Sequence, residues 1–570
     1  MEERTQGRKS ESERQASQPS YAASSIVDNK EKLEYSEHNE PVAEDKPAEK
    51  PEETVTYAKG AEAVFVMLAL LLSITLCSLD QTIVATAIPK ITDQFRQLND
   101  ISWYGSAYFL TLGAFQSQWG KIYKYFPLKT SFLVAIFIFE LGSLICAVAP
   151  NSTTLIVGRA ISGVGGSGIV PGVYTIAALS AEPTKRATYM GVIGVSYGFA
   201  AVIGPLIGGA IAGSTTWRWC FWINLPVGGL AALVIFITFK TPSAAKLVQA
   251  TLKEKFLNMD FPATVLIMGA STALILALQY GGVTHPWNSS IVIGLLVGFV
   301  VIVLALTVLE IWQGERAMLT PRLLLQRSVW VNCAWGFFFT GGYFVTLYYL
   351  PIYFQSIDNA SPISSGVRNI PLIALLSIAT VGSGLLTTKT GIAAPYLLAS
   401  SVITTIGSGL LFTLDVGTPT GQWVGYQILT GFGYGLGFQI PVVIAQTFSA
   451  PSDLAPVTAI VIFFRSMGAT FLLAAAEAGF ANQLVARLAI TAPSVDPAAV
   501  TATGATKLRE EFAGAELDGI LQAYAWAIQV AFAITIAACG LSVIFALFTR
   551  WDNVNAKKAE TVTQAKEAEA

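Results

Sequence analysis

The sequence predicts an all-α polytopic membrane protein, with fourteen apolar helices arranged as six, two and six. Three observations carry this expectation. The chain is 53% hydrophobic and only 13% charged, with a mean hydropathy of +0.56; a soluble domain carries about twice that charge. Apolar runs of about twenty residues, long enough to cross a hydrocarbon core, recur along it. Short motifs also recur at a nearly constant offset, as in chains built from two related halves.

Residues 1–58 are rich in Glu, Lys, Ser, Gln and Pro and show no apolar periodicity. They read as a disordered cytosolic tail, and no cleavable signal sequence is visible in them. The spans are placed near 62–88, 101–119, 131–149, 153–179, 188–212, 219–239, 261–280, 290–311, 329–355, 363–386, 394–414, 421–447, 457–481 and 521–549. An even count puts both chain ends on one side. With that side cytosolic, inner loops carry roughly 13 Lys/Arg and outer loops roughly 7, as the positive-inside rule requires. The glycosylation sequons at Asn151, Asn288 and Asn359 then all fall outside. The loop near 483–520 is longer than the rest, with a charged helix-like piece at Lys507–Asp518. Residues 551–570 read as a short cytosolic tail.

Several classes are excluded. A net charge of −2 does not suit a nucleic-acid binder. The five cysteines (Cys77, Cys146, Cys220, Cys333, Cys539) lie in apolar runs without a CxxC, so neither a disulfide framework nor a zinc site is suggested. The two histidines, His38 and His285, fall in a tail and a loop, leaving no histidine relay within the membrane. No G-x-x-x-x-G-K-[ST] phosphate loop occurs. No metal, cofactor or enzymatic constellation is expected, and the chain is expected to work as a monomer in the lipid bilayer.

The repeat is legible in two pairs. Gly120-x-Ile122-x-Lys124 corresponds to Gly384-x-Leu386-x-Thr388-Lys389, and Arg159-x-x-Ser162-Gly163-x-Gly165 to Gln427-x-x-Thr430-Gly431-x-Gly433. The offsets, about 264 and 268 residues, leave room for six spans plus two inserted ones. The expected divisions are 59–240 and 328–550 for the six-helix halves and 241–327 for the linker with the inserted pair.

The fifth span holds the stretch Gly191–Gly209, GVIGVSYGFAAVIGPLIGG. Glycines four apart line one helix face and admit a neighbouring backbone, and Pro205 removes a donor and invites a bend. The order Gly198, Gly204, Pro205, Gly208, Gly209 resembles the fifth-helix antiporter motif of the major facilitator superfamily. Leu79-Asp80-Gln81-Thr82-Ile83-Val84-Ala85-Thr86-Ala87-Ile88-Pro89 resembles the first-span signature of its fourteen-span drug:proton antiporters. Trp217-Arg218-Trp219-Cys220-Phe221-Trp222-Ile223-Asn224-Leu225-Pro226-Val227-Gly228, Tyr349-Leu350-Pro351-Ile352-Tyr353-Phe354-Gln355 and Gly431-Phe432-Gly433-Tyr434-Gly435 are similar to further elements of that family. The combination resembles the fungal branch that exports mycotoxins and drugs, such as aflatoxin and HC-toxin efflux pumps, over nearly all of residues 60–550. One element departs from the pattern. The loop after the second span usually carries an aspartate, yet Lys124 stands there, Pro127 replaces a glycine, and Thr388 replaces the acid of the second copy. Another contact has to hold the inner gate.

An ionisable side chain at bilayer depth costs at least ~2.5–3.5 kcal/mol on insertion scales and needs a reason. Asp80, Arg159 and Glu140 lie at similar depth, roughly 9–14 Å from the outer ends of their spans. They suggest one buried cluster, with Asp80 as a proton-coupling acid, Arg159 as its tuning partner and Glu140 as a second acid. Arg465 and Glu477 share one side of span thirteen at different depths. Candidate cavity residues are Tyr108, Tyr343, Tyr348, Gln427, Gln439 and Arg465, which offer flat apolar contact and hydrogen bonds of either sense. The resemblance implies a plasma-membrane antiporter that exchanges protons for a small amphipathic substrate, a fungal toxin, secondary metabolite or drug. The alternatives are a proton-coupled uptake carrier for a nutrient or siderophore, and the vacuolar membrane.

Overall fold

In the computed structural model, residues 60–95, 101–182, 185–241, 248–503 and 508–554 are described. The expected N-terminal tail and most of the expected C-terminal tail lie outside them. The described residues are helical, with an isolated bridge between Gly281 and His285. The long helices are α1 (Gly60–Phe95), α2 (Ile101–Tyr125), α3 (Leu128–Ala147), α4 (Ser152–Ser180) and α5 (Arg186–Ser214). Next come α6 (Asn224–Thr238), α7 (Phe261–Tyr280), α8 (Ser290–Gln313), α9 (Arg327–Ser356) and α10 (Ile370–Thr390). The last four are α11 (Ala394–Phe412), α12 (Thr420–Gly437), α13 (Leu454–Thr491) and α14 (Gly514–Leu547).

Eleven helical segments among the described residues are long and apolar enough to cross a membrane. Helices α2, α5 and α9, of 25, 29 and 30 residues, fall on the second, fifth and ninth expected spans without being among those eleven. The twelfth expected span is broken. α12 stops at Gly437 and a second piece runs Ile440–Thr447, because Pro441 has no N–H to continue the ladder. The sixth is likewise preceded by a separate turn, Trp219–Trp222. The loop expected at 483–520 is shorter than the sequence suggests. α13 continues to Thr491 and α14 starts at Gly514, so Glu516 and Asp518 belong to a helix and not to the loop.

Helix packing repeats the internal repeat of the sequence. In the first set α4 packs on α2 and α3, and α1 on α5 and α6; in the second α12 packs on α10 and α11, and α9 on α13 and α14. Close approaches correspond residue by residue. A Cβ at Gly142 would lie 2.7 Å from Ser162 Cα, and one at Gly407 would lie 2.9 Å from Thr430 Cα. Such spacing lets α4 and α12 sit at backbone distance from their neighbours. The sets meet along two seams, α2 against α13 and α5 against α10, which the repeat relates to one another.

The inserted pair lies on one seam. α7 packs on α8, α2 and α13, while α8 turns Val297, Val300, Val301 and Leu304 outward. Buried Asp260 anchors the pair. It caps α7 through Ala263 N (3.2 Å) and accepts from Gln313 Nε2 (2.7 Å) and Met318 N (2.9 Å). Ser117 and Gln118 of α2 bond Met318 O (3.0 Å) and Met259 O (2.9 Å).

Candidate substrate and coupling site

Asp80 of α1 and Arg159 of α4 are both buried, 0% and 1% exposed. Arg159 Nη1 donates to Asp80 Oδ2 at 2.5 Å, and Nε donates to Tyr104 O at 3.0 Å. Asn224, at the start of α6, donates to the other Asp80 oxygen at 3.2 Å and to Ser143 Oγ at 3.1 Å. The guanidinium lies 4.4 Å from the centre of the Tyr108 ring, an additional attraction for a desolvated cation. Both charges therefore have partners from several helices. Asn224 was not singled out by sequence reasoning, although it lies in the quoted Trp217–Gly228 stretch; a lone amide in an apolar run was the available signal.

Glu140 of α3 stands apart from this pair. Its carboxylate oxygens are enclosed yet have no hydrogen-bond partner among the described residues. Gly228 of α6 leaves the space the carboxylate occupies, which a Cβ there would strike. The structure thus brings Asp80 and Arg159 together and leaves Glu140 without a donor among the described residues.

Next to Asp80, Gln81 lines a central cavity with about 490 Å3 of empty space. Phe109, Tyr174, Thr340, Phe344 and Arg465 line it too. Arg465 Nε donates to Thr340 Oγ1 at 3.3 Å, and its guanidinium lies 4.5 Å from the Phe438 ring centre. Of the six candidate cavity residues, Arg465 lies on the wall. Tyr108 belongs to the Arg159 cluster, and Tyr343 packs between Tyr434 and Phe438, with ring centres 5.3 and 5.2 Å away. Tyr348 is half-buried in α9. Gln427, the counterpart of Arg159, is buried with both amide atoms unpartnered among the described residues. Gln439 is buried at the break after α12, where a Cβ on Gly194 of α5 would lie 2.9 Å from its Nε2. Gln81 and Tyr174 were missed, and adjacency to Asp80 was the only hint for Gln81.

Polar contacts join the two helix sets at the ends where α1 begins and α14 finishes, called here the tail side. Lys124 of α2 donates to Asp453 Oδ1 at 2.8 Å, and Asp453 Oδ2 accepts from Arg322 at 3.0 Å. Arg322 also holds Glu315 at 2.7 Å, and Lys121 donates to Glu315 O at 2.7 Å. Burial alone would raise the Asp453 pKa, but hydrogen bonds and charge from Lys124 and Arg322 outweigh it and hold the carboxyl below its ordinary range. On the other seam, the Thr188 and Thr388 hydroxyls pair at 2.9 Å. The motif glycines allow both contacts. A Cβ on Gly120 would lie 2.5 Å from Ala459 Cβ, and one on Gly384 would lie 2.5 Å from Ala187 O. Lys124 and Thr388, the departures from the family pattern, are thus the residues that reach across the two seams.

The glycine face of α5 serves two neighbours. Towards the tail side, Gly191 meets Thr380 of α10, whose carbonyl would lie 2.9 Å from an added Cβ. Further along, Gly204 abuts α1, where a Cβ would lie 2.9 Å from Thr82 Cβ, two residues from Asp80. Gly208 is buried; the surroundings of Gly198, Pro205 and Gly209 lie outside the described residues. The sequon residues Asn151, Asn288 and Asn359 are all exposed. Asn151 caps α4 by accepting from Thr154 N at 2.9 Å, and Asn359 has φ 53°, a left-handed conformation that asparagine tolerates. No group of three or more His, Cys, Asp or Glu among the described residues could hold a metal.

Comparison with known proteins agrees with this geometry. The Major Facilitator Superfamily description matches residues 70–472. The chain is 51% identical over 499 residues to the MFS-type transporter grgE of a Penicillium species, covering 88% of each chain. It is 48% identical to the probable efflux pump gsfJ of Penicillium aethiopicum, covering 89% of this chain and 91% of that one. It is 42% identical to the MFS-type efflux pump MFS1 of Trichophyton rubrum, covering 89% and 95%. Among solved structures, it shares the fold of a bacterial homologue of the human lysosomal transporter Spinster (TM-score 0.55, 14% identity, 87% and 100% covered). The proton:xylose symporter XylE is similar in fold as well (TM-score 0.54, 12% identity, 87% and 98% covered). The chain is therefore a multi-pass membrane transporter that belongs to the major facilitator superfamily, among fungal efflux-type relatives.

Proposed function

We propose that this protein is a proton-coupled antiporter that exports small amphipathic molecules, such as fungal secondary metabolites, toxins or drugs. It would work as a monomer in the plasma membrane, with both tails cytosolic and fourteen spans. The observation that carries the reading is the buried Asp80–Arg159–Asn224 cluster directly beside the central cavity, which shares the Asp80–Gln81 turn with it. A carboxylate paired with an arginine stays ionised, and a change that separates the pair lets it take a proton. A rocking movement of the two helix sets about the α2–α13 and α5–α10 seams supplies such a change, and the close approach of Gly204 to Thr82 couples α5 to the Asp80 turn. Glu140, without a hydrogen-bond partner among the described residues, is the second acid of the site. The efflux-type names of the relatives support the direction of transport, and the aromatic wall with Arg465 supports an amphipathic substrate.

The test is Asp80→Asn in liposomes with an imposed pH gradient. The variant inserts normally and loses net proton-driven transport. Transport equal to wild type would move the coupling role elsewhere, with Glu140→Gln the next variant.

A further inference from the structure

A second cavity, with about 530 Å3 of empty space, adjoins the first. The two share Phe109, Phe344 and Ala469. Ser106 of α2, Gln279 of the inserted helix α7, and Thr470 and Glu477 of α13 supply its polar atoms. A narrower cleft continues from Ser106 and Gln279 along α2 and α7 past Trp103 and Thr272. The inserted helix is thus a wall of the space open to substrate. Its end is pinned near Glu477, because Asn482 of α13 donates to Gly281 O at 2.9 Å and accepts from Trp287 Nε1 at 3.2 Å.

The two cavities differ in charge. Arg465 lines the central one and Glu477 the side one, about 18 Å apart along α13. Glu477 is exposed, and among the described residues it makes no hydrogen bond or ion pair. A carboxylate at membrane depth requires a counter-charge, and the described residues provide no ion-pair partner here. The rings of Phe109 and Phe344, which line this cavity with Glu477, offer faces to a cation.

We propose that the side cavity binds amphipathic organic cations, with Glu477 as their counter-ion and Phe109 and Phe344 as flanking rings. Neutral or anionic groups are left to the central cavity and Arg465. The inference rests on the reading of the chain as an exporter of amphipathic molecules and adds a charge class to it.

The test uses the purified full chain and equilibrium binding of tetraphenylphosphonium, whose charge does not vary with pH, beside an anionic dye of similar size. Glu477→Gln weakens tetraphenylphosphonium binding at least tenfold and leaves dye binding and the thermal midpoint unchanged, and Glu477→Asp restores most of the loss. Equal cation binding by wild type and Glu477→Gln, no cation binding by wild type, or equal loss of both ligands would overturn the proposal. A second measurement holds if Glu477→Gln does not fold. Tetraphenylphosphonium slows thiol labelling of Thr470→Cys severalfold and the anionic dye does not; labelling unaffected by the cation would also overturn it. Binding needs no proton gradient, so failure here leaves the antiport reading standing, and failure of antiport leaves the cation site standing.

Discussion

Asp453→Asn should open the tail side of the transporter. In the structure Asp453 is 5% exposed and bridges Lys124 at 2.8 Å and Arg322 at 3.0 Å. A hydrogen bond between such charged, partly buried groups is worth ~1.5–3 kcal/mol. The Arg322 contact, with its cation half exposed, adds only ~0–1 kcal/mol. The closed arrangement is therefore weakened by about 1.5–4 kcal/mol, a shift of roughly 10- to 700-fold in its ratio to a tail-side-open arrangement. The Gly120 and Gly384 approaches persist, so closure is weakened and not abolished. The assay places a cysteine at Ser466, on the central cavity wall, and measures its labelling by an impermeant thiol reagent added from the tail side. The five native cysteines are buried and give little background. Asp453→Asn should speed labelling at least tenfold, and Lys124→Gln should act in the same direction. The double variant should add little to either, because both remove one pair. Unchanged labelling in the single variants, or strictly additive effects, would refute the reasoning.

Three further outcomes follow from the same geometry. Because the Asp453 carboxyl is held below its ordinary pKa, its contribution to closure is present above the ordinary carboxylate value and is lost only as pH falls through the depressed one. Tail-side accessibility of Ser466→Cys, its labelling rate corrected for the thiolate fraction at each pH, should thus stay flat from pH 8 to about 5, and a rise in the corrected rate between pH 7 and 5 would contradict this. Gly204→Val should lower the thermal midpoint and abolish transport, since its side chain must displace α1 at Thr82, a cost of ~1–3 kcal/mol or more; wild-type behaviour in both measurements would count against a required close approach. Arg159→Lys keeps the charge but loses the fork that serves Asp80 and the Tyr104 carbonyl together. It should reduce proton-driven transport at least tenfold with normal insertion, whereas full activity would show that charge alone suffices.

Some of the site was legible because charge within apolar runs is costly. Asp80 and Arg159 stood out on that ground, and their depths agreed. Glu140 matched them in depth, but depth along a helix does not give the direction a side chain faces, and Glu140 lies against Gly228 with no hydrogen bond to Arg159. Asn224 and Gln81 are neutral, so no insertion cost marked them. The partner of Lys124 lies 329 residues away in a short connection before α13, and pattern alone does not pair residues across such a distance. Sequence could show that Lys124 and Thr388 break the usual motif, but their contact across the seams required the packing of α2 on α13 and of α5 on α10. The glycine spacing of α5 announced a close helix contact, whereas its division between α10 and α1 follows from tertiary packing.

The most direct measurement of the central claim uses the wild-type chain in liposomes with an imposed pH gradient, loaded with a panel of fluorescent amphipathic dyes and natural toxins. Dye movement and internal pH are followed together. The account predicts that substrate moves against its gradient while protons move the opposite way. Movement of substrate and protons in the same direction would contradict it and identify an uptake carrier built on the same fold.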